Sequence, residues 1–224
     1  MKKELELRLP TSYADITLKQ WLELQKEMKN YEGDEEAITA VMLQHLCGLD
    51  PLYFRGLSME DYKMIREGLN SFMSEVELPL QKFITIGGVE YGFEPNLSKM
   101  TYGAYADISK FDTIAIDENW AKIMNILYRP VVNKKNDMYS IKAYDGDLHW
   151  EKFLDTPMDV CFGALFFLLN LQSDLVSSIL NSLKEQELPP NIKPILARSG
   201  QLIQQSLSSQ MGTFSDLTKL LKNH

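Results

Sequence analysis

Cysteine and histidine are scarce in this chain, which has two cysteines and three histidines among 224 residues. Cys47 and Cys161 lie far apart and form no CxxC motif, so we expect buried thiols in a reducing compartment rather than a disulfide framework. His45 stands close to Cys47, but no second pair completes a zinc site. A nucleophilic pair of Cys161 with His45 or His149 is the alternative. The apolar surroundings of Cys161 favour packing, because burial raises the pKa of a thiol.

Long apolar runs are also missing. The strongest candidate, residues 160–171, is bounded by Asp159 and Asp174 and is shorter than the roughly 20 apolar residues of a membrane-spanning helix. The first six residues alternate charge with leucine and contain no apolar core of a signal peptide. The sequence therefore predicts a buried core helix at 160–171 and no association with a membrane.

Positive charge is in deficit, with 23 Lys and Arg against 31 Asp and Glu and a net charge of −8. Nucleic-acid binding without sequence preference relies on clustered Lys and Arg, so no nucleic-acid partner is expected. The GxxxxGK, GxGxxG and GxSxG motifs are missing, and Asp145-Gly146-Asp147 lacks the later ligands of a calcium loop. We predict a protein that is not an enzyme, with no catalytic residue, cofactor or metal.

Two strong local signals occupy the middle of the chain. Gly87 and Gly88 separate two short runs of β-branched and aromatic residues, 83–86 and 89–93, which predicts a tight hairpin. The segment 120–130 carries large apolar residues at helical spacing, with Asp117 as the expected N-cap and Pro130 as the stop. We expect Trp120 and Leu127 of this helix to be buried.

Helical periodicity dominates the remaining chain up to residue 186. Helices are predicted from Thr17, which forms a capping box with Gln20, over 35–46, ending at Gly48, and over 59–73 after Ser58. Before the hairpin, we also predict a strand at Leu5, Leu7 and Leu9 that adds to its edge, and a turn at Asp50-Pro51. After it, we predict a helix over 101–108 and a second hairpin of 131–132 with 139–141. A last helix begins at Pro157, and Asp174–Leu183 either prolongs it or forms another helix. The predicted class is α+β, predominantly α-helical, with a small antiparallel sheet built on the Gly-Gly hairpin and flanked by helices on both sides.

The C-terminal segment differs in composition from the rest. We predict a single domain over 1–186, with a sub-boundary near 76–82 as the alternative, followed over 187–224 by a proline-containing linker and a tail rich in Ser and Gln. One face of a short amphipathic helix in the tail is apolar and is the predicted partner-binding site: Phe214, Leu217, Leu220 and Leu221. This face either docks on its own domain or reaches a partner, which includes self-association.

Two further sets of residues admit two interpretations each. The aromatic residues Tyr91, Phe93, Tyr102 and Tyr105 fill the space between the hairpin and a helix, or stack on sugars or bases. The methionines, 11 in all, belong to the core or to surfaces that accept varied apolar partners; the set around the predicted helices is Met42, Met59, Met64, Met73, Met100 and Met124.

Four segments together resemble a protein family of tailed bacteriophages, including crAss-like and related phages. They read LPTS at 9–12 with DITLKQW at 15–21, YGFEPNL at 91–97, TYGAYAD at 101–107 and IMNILYRP at 123–130. The resemblance covers the chain to about Leu183 and does not extend to the tail. Its members are described as tail-assembly-chaperone-like or virion-associated proteins, and it contributes no catalytic residues.

The resemblance implies a function in phage assembly. The expected protein is non-enzymatic and acts by protein–protein interaction, shielding helical segments of a phage tail or structural protein in the host cytoplasm during assembly. The first alternative is a component retained in the virion, at the neck, in the tail or in the interior. The second is an enzyme with an unrecognised site.

Overall fold

The computed structural model describes residues 7–31, 33–73, 78–111, 113, 116–135, 138–146 and 149–185. Within these ranges the chain forms seven α-helices and one four-stranded antiparallel sheet, which confirms the predicted, predominantly helical α+β class. The helices are α1 (Leu18–Met28), α2 (Glu35–Cys47), α3 (Pro51–Phe54), α4 (Met59–Met73), α5 (Tyr102–Ile108), α6 (Trp120–Leu127) and α7 (Met158–Glu185). The strands are β1 (Phe83–Ile86), β2 (Val89–Phe93), β3 (Tyr128–Lys135) and β4 (Met138–Ile141).

Local capping determines where the N-terminal helices begin and end. At α1, Thr17 Oγ1 accepts from Gln20 N at 3.3 Å while Gln20 Oε1 accepts from Thr17 N at 2.9 Å, so the predicted capping box is confirmed. α2 ends at Gly48, whose φ of 66° is the left-handed conformation that glycine adopts without a steric penalty. Ser58 Oγ accepts from Asp61 N at 3.0 Å at the start of α4, as the sequence predicted.

Two predictions for the N-terminal half are wrong. Leu7 and Leu9 lie in irregular chain, not in a strand, and both pack against the hydrophobic core; Leu5 lies outside the described residues. The predicted turn at Asp50-Pro51 is the start of the short helix α3. There the Asp50 carboxylate accepts from the amide of Leu52 at 2.9 Å, and proline suits the first helical position.

The sheet has the strand order β1-β2-β3-β4, with every neighbouring pair antiparallel. Gly87 and Gly88, with φ of 57° and 79°, connect β1 to β2 where Ile86 pairs with Val89. The second predicted hairpin is confirmed, since Val131 pairs with Ile141. This order places β2 and β3 in the interior of the sheet and leaves β1 and β4 at its edges.

The predicted end of the sixth helix is wrong by one turn. α6 stops at Leu127, and Tyr128 to Pro130 belong to β3, where Tyr128 pairs with Phe93 of β2. Arg129 precedes a proline, which disfavours the helical conformation, and pairing with β2 stabilises the extended one. The predicted N-cap is also displaced: Asn119 occupies that position, and Asp117 Oδ1 accepts from Asn119 N at 2.7 Å.

One hydrophobic core connects the helices to the sheet. Trp120 and Leu127 of α6 are fully buried, as predicted. Tyr13, Trp21 and Phe162 meet edge to face with ring centroids 4.9–6.2 Å apart, which joins α1 to α7. α7 is continuous, so the predicted segment 174–183 prolongs the helix. The predicted domain limits stay a prediction, and the tail lies outside the described residues.

At Gly163, α7 lies close to the backbone of the segment before β1. A methyl group at this position would lie 2.5 Å from the carbonyl oxygen of Pro79, a backbone atom that cannot rotate away. We expect Gly163→Ala to lower the free energy of unfolding by about 1–3 kcal/mol, as overpacking does, measured by urea denaturation followed by far-ultraviolet circular dichroism.

Gly68→Ala is the matched control for this substitution. Its new methyl group would meet Leu9 Cδ1 at 2.8 Å, the mobile end of a side chain, while alanine improves helix propensity by about 0.5–1 kcal/mol. The control is therefore expected to stay within about 1 kcal/mol of the parent protein. An equal loss of stability in both variants would contradict a specific backbone contact at Gly163.

Candidate functional site

A small cavity of about 50 Å³ lies where α6 passes into β3. Four separate parts of the chain contribute to it: Tyr91 of β2, the α6–β3 junction, the segment after β4, and Lys152. Its lining consists of Tyr91, Asn125, Tyr128, Arg129, Pro130, Lys142, Ala143, Tyr144, Asp145 and Lys152. The cavity is far smaller than the roughly 300–1,000 Å³ pockets that enclose drug-sized ligands, so it has room for a single small group.

The α6–β3 junction is held rigidly. Tyr128 is fully buried, and its hydroxyl donates to the carbonyl oxygen of Gln81 at 2.7 Å. Burial is the main cause that raises the pKa of Tyr128 far above its ordinary value, so this hydroxyl remains a donor at all physiological pH values. The backbone amide of Glu94, which follows β2, donates to the carbonyl oxygen of Leu127 at the end of α6 at 2.7 Å.

Arg129 enters the site as half of a buried ion pair. Its Nη2 donates to Glu94 Oε2, and each of the two side chains is only 10% exposed. Arg129 Nε is shielded from solvent and donates no hydrogen bond within the described structure. The guanidinium therefore depends on Glu94 for much of its electrostatic compensation.

Tyr144 closes the cavity on the side of α5. Its hydroxyl donates to Asp107 Oδ2 at 2.7 Å, and Lys110 Nζ donates to Asp107 Oδ1 at 2.7 Å. Burial, followed by the interactions with Asp107, raises the pKa of Tyr144 to about 12. The hydrogen bonds from Lys110 and Tyr144 lower the pKa of Asp107, so at neutral pH a neutral phenol faces an ionised carboxylate.

Two lysines complete the lining. Lys142 Nζ pairs with Asp145 Oδ2 at 2.7 Å. Lys152 Nζ lies over the ring of Tyr91 at 5.3 Å from its centroid and forms no ion pair with any residue that the structure describes. Together with Arg129 and Glu94, these groups leave one net positive charge at the cavity. The arrangement is suited to holding an anion rather than to acid–base chemistry.

The four aromatic residues singled out in the sequence divide into two pairs. Tyr91 and Phe93 are buried in the core, as expected of residues that fill space between elements. Tyr102 and Tyr105 on α5 are 84% and 62% exposed. α5 lies beside the cavity, because a methyl group at Gly103 would lie 3.7 Å from the ring of Tyr144. The exposed pair therefore belongs to the helix that borders the cavity, on other faces of it than Gly103 and Asp107.

The methionines also divide between interior and surface. Met42, Met73 and Met124 are buried and Met100 is partly buried, whereas Met59 and Met64 of α4 are exposed. The core interpretation therefore holds for part of the set, and α4 carries apolar groups into solvent.

The surroundings of Cys161, Cys47 and His45 decide between the packing and chemical interpretations of these side chains. Cys161 is fully buried, and this burial raises the pKa of its thiol well above the ordinary value, so the packing interpretation is favoured over nucleophilic chemistry. Burial also raises the pKa of Cys47 to about 11. His45 Nε2 lies 2.5 Å from Glu27 Oε2. Across the described ranges, no three His, Cys, Asp or Glu side chains come together in a way that could hold a metal ion.

The residues that line the cavity form no recognisable group in the sequence. Arg129 lies in the motif at 123–130, but Lys142, Tyr144 and Lys152 carry no pattern that relates them to it. The predicted partner-binding residues Phe214, Leu217, Leu220 and Leu221 lie outside the described residues. In the part of the chain that is described, no helix is long and apolar enough to cross a bilayer.

Comparison of the chain with protein-family models, with curated proteins and with solved structures finds no match.

Proposed function

We propose that this chain is a bacteriophage assembly protein that has no enzymatic activity and acts by binding other proteins, as a tail-assembly-chaperone-like factor. Its proposed partners are tail or other structural proteins of the phage, and its proposed place of action is the host cytoplasm during assembly. The resemblance of the motifs at 9–21, 91–97, 101–107 and 123–130 supports the phage context. The surface of the helices supports the mode of action.

The observation that carries the proposal is the exposure of large apolar side chains on helices. Leu52 and Met59, at α3 and α4, are 86% and 80% exposed, and Tyr102 and Tyr105 lie in solvent on α5. Residues three apart on a helix are neighbours, so the two tyrosines form one surface. Tyrosine and methionine are enriched where proteins meet, because they supply apolar area that adapts to a partner.

Co-purification from infected cells tests the proposal. We expect the affinity-tagged chain to recover a phage structural protein, and Tyr102→Ser/Tyr105→Ser to lower this recovery at least about tenfold, the effect of removing interface hot spots. Tyr31→Ser removes an exposed tyrosine elsewhere, 40% exposed, and is expected to leave recovery unchanged.

Deletion of residues 195–224 removes the predicted partner-binding residues of the tail. In the same co-purification assay, this deletion is expected to weaken recovery of the phage protein while the domain stays folded.

Mass spectrometry of purified particles separates the two phage functions. An assembly chaperone is expected to be absent from mature particles. If the chain is present in the particle at a fixed copy number, it is a retained component of the neck, tail or interior and not a chaperone. Recovery of no phage protein by the parent chain would contradict both functions.

A further inference from the structure

The cavity between α6, β3 and residues 142–145 concentrates positive charge in an acidic protein. The chain carries a net charge of −8, whereas Arg129, Lys142 and Lys152 all line this one small space. The carboxylates of Glu94 and Asp145 each pair with one of these cations. The third cation, Lys152, has aromatic neighbours and no carboxylate partner among the described residues.

The charge and the size of the cavity together select the ligand. One uncompensated positive charge matches a monoanion, and a volume of about 50 Å³ holds a group the size of a few water molecules. A carboxylate satisfies both conditions, while a phosphate dianion would leave a negative charge in a partly buried site. Lysine and arginine form their stronger, charge-assisted hydrogen bonds with carboxylates.

The surroundings of the cavity indicate where such a carboxylate comes from. Tyr144 contributes to the lining and donates to Asp107 of α5, the helix that presents Tyr102 and Tyr105 to solvent. α5 has seven residues and is about 10 Å long at a rise of roughly 1.5 Å per residue, so a polypeptide that covers the two tyrosines can reach the cavity with a neighbouring segment. Aromatic side chains dominate interface hot spots, and complementary charge across an interface fixes its register and excludes wrong partners.

We propose that this cavity binds a carboxylate of the partner polypeptide, with Lys152 as the principal cation and with Arg129 and Lys142, each paired with a carboxylate, as further positive charges of the lining. The inference rests on the proposed function, because it names the chemistry of the partner that α5 contacts. It places an Asp or Glu side chain, or a C-terminal carboxylate, of the partner in the cavity.

Titration of the isolated, isotope-labelled chain with small anions tests the site without any partner. We expect acetate to shift the NMR signals of the Lys142 and Lys152 side chains saturably at constant ionic strength, with chloride giving no saturable shift. Lys152→Gln is expected to weaken acetate binding about tenfold, as expected for loss of a charge-assisted hydrogen bond. Lys63→Gln on the exposed face of α4 is the control and should bind acetate as the parent does.

Peptides and phosphate distinguish the sources of the anion. Acetyl-Ala-Asp-Ala-amide is expected to bind at least as tightly as acetate, and its Asn counterpart to give no saturable shift. Acetate binding without binding of the Asp peptide would overturn the assignment to a polypeptide, and phosphate binding equal to acetate would overturn the selectivity for a carboxylate. Absence of any saturable shift would overturn the site itself, whereas an intact acetate response with no phage protein recovered from cells would overturn only the proposed function.

Discussion

Replacing Trp120 with alanine is expected to lower the free energy of unfolding by about 3–5 kcal/mol, the cost of a large-to-small change in a core. Trp120 is fully buried at the first position of α6, a helix in which Lys122 is the single residue that is not buried. The substitution would leave a cavity in the hydrophobic core at the N-terminal end of α6. Because the surrounding helix is itself buried, little relaxation is available to fill that space.

Urea denaturation followed by circular dichroism measures this loss, with Tyr102→Ala as the control. Tyr102 is also an aromatic residue at the start of a helix, but it lies in solvent, so its truncation is expected to cost less than about 0.5 kcal/mol. If the two variants lose the same stability, Trp120 does not lie in the core and the placement of α6 is wrong.

Replacing Glu94 with leucine is expected to give the second large loss of free energy of unfolding. This change leaves the guanidinium of Arg129 buried without its counter-charge, which costs about 3–5 kcal/mol when one partner of a buried pair is removed. Removing both charges in Glu94→Leu/Arg129→Met is expected to restore most of the lost stability, because a buried ion pair contributes little beyond a well-packed apolar pair. The double-mutant cycle thereby isolates the penalty of the unpaired charge.

Glu90→Leu provides the matched control for the charge effect. Glu90 pairs with Lys134 at 2.8 Å on the surface of the same sheet, where both side chains are well exposed. Exposed pairs contribute about 0–1 kcal/mol, so this control is expected to change stability little. A failure of the double variant to recover stability would mean that Glu94 acts through a contact other than its pairing with Arg129.

The elements that the sequence predicted well are those with local signals. Thr17 and Gln20 cap α1 within four residues of chain, and Gly87 with Gly88 determines a turn whose conformation other residues disfavour. The end of α6 has no such signal, because residues 126–128 are apolar in either conformation. Pairing of Tyr128 with Phe93, distant in sequence, decides the conformation there.

The same distinction explains why the cavity could not be predicted. Arg129, Lys142 and Lys152 belong to different elements and are brought together by tertiary packing. In the sequence each is an ordinary cation at the surface of a helix or loop. Arg129 is buried in β3 because α6 ends one turn earlier than the apolar pattern predicts.

α7 is a continuous helix of 28 residues, Met158–Glu185. At a rise of roughly 1.5 Å per residue it is about 42 Å long, and Glu185 lies about 24 Å along its axis from Leu169, a residue of the core. Because no break divides the helix, a pull or a push at its C-terminal end would be transmitted along the axis to the ring contact of Phe162 with Tyr13 and to the close approach at Gly163. The two ends of α7 are therefore mechanically coupled.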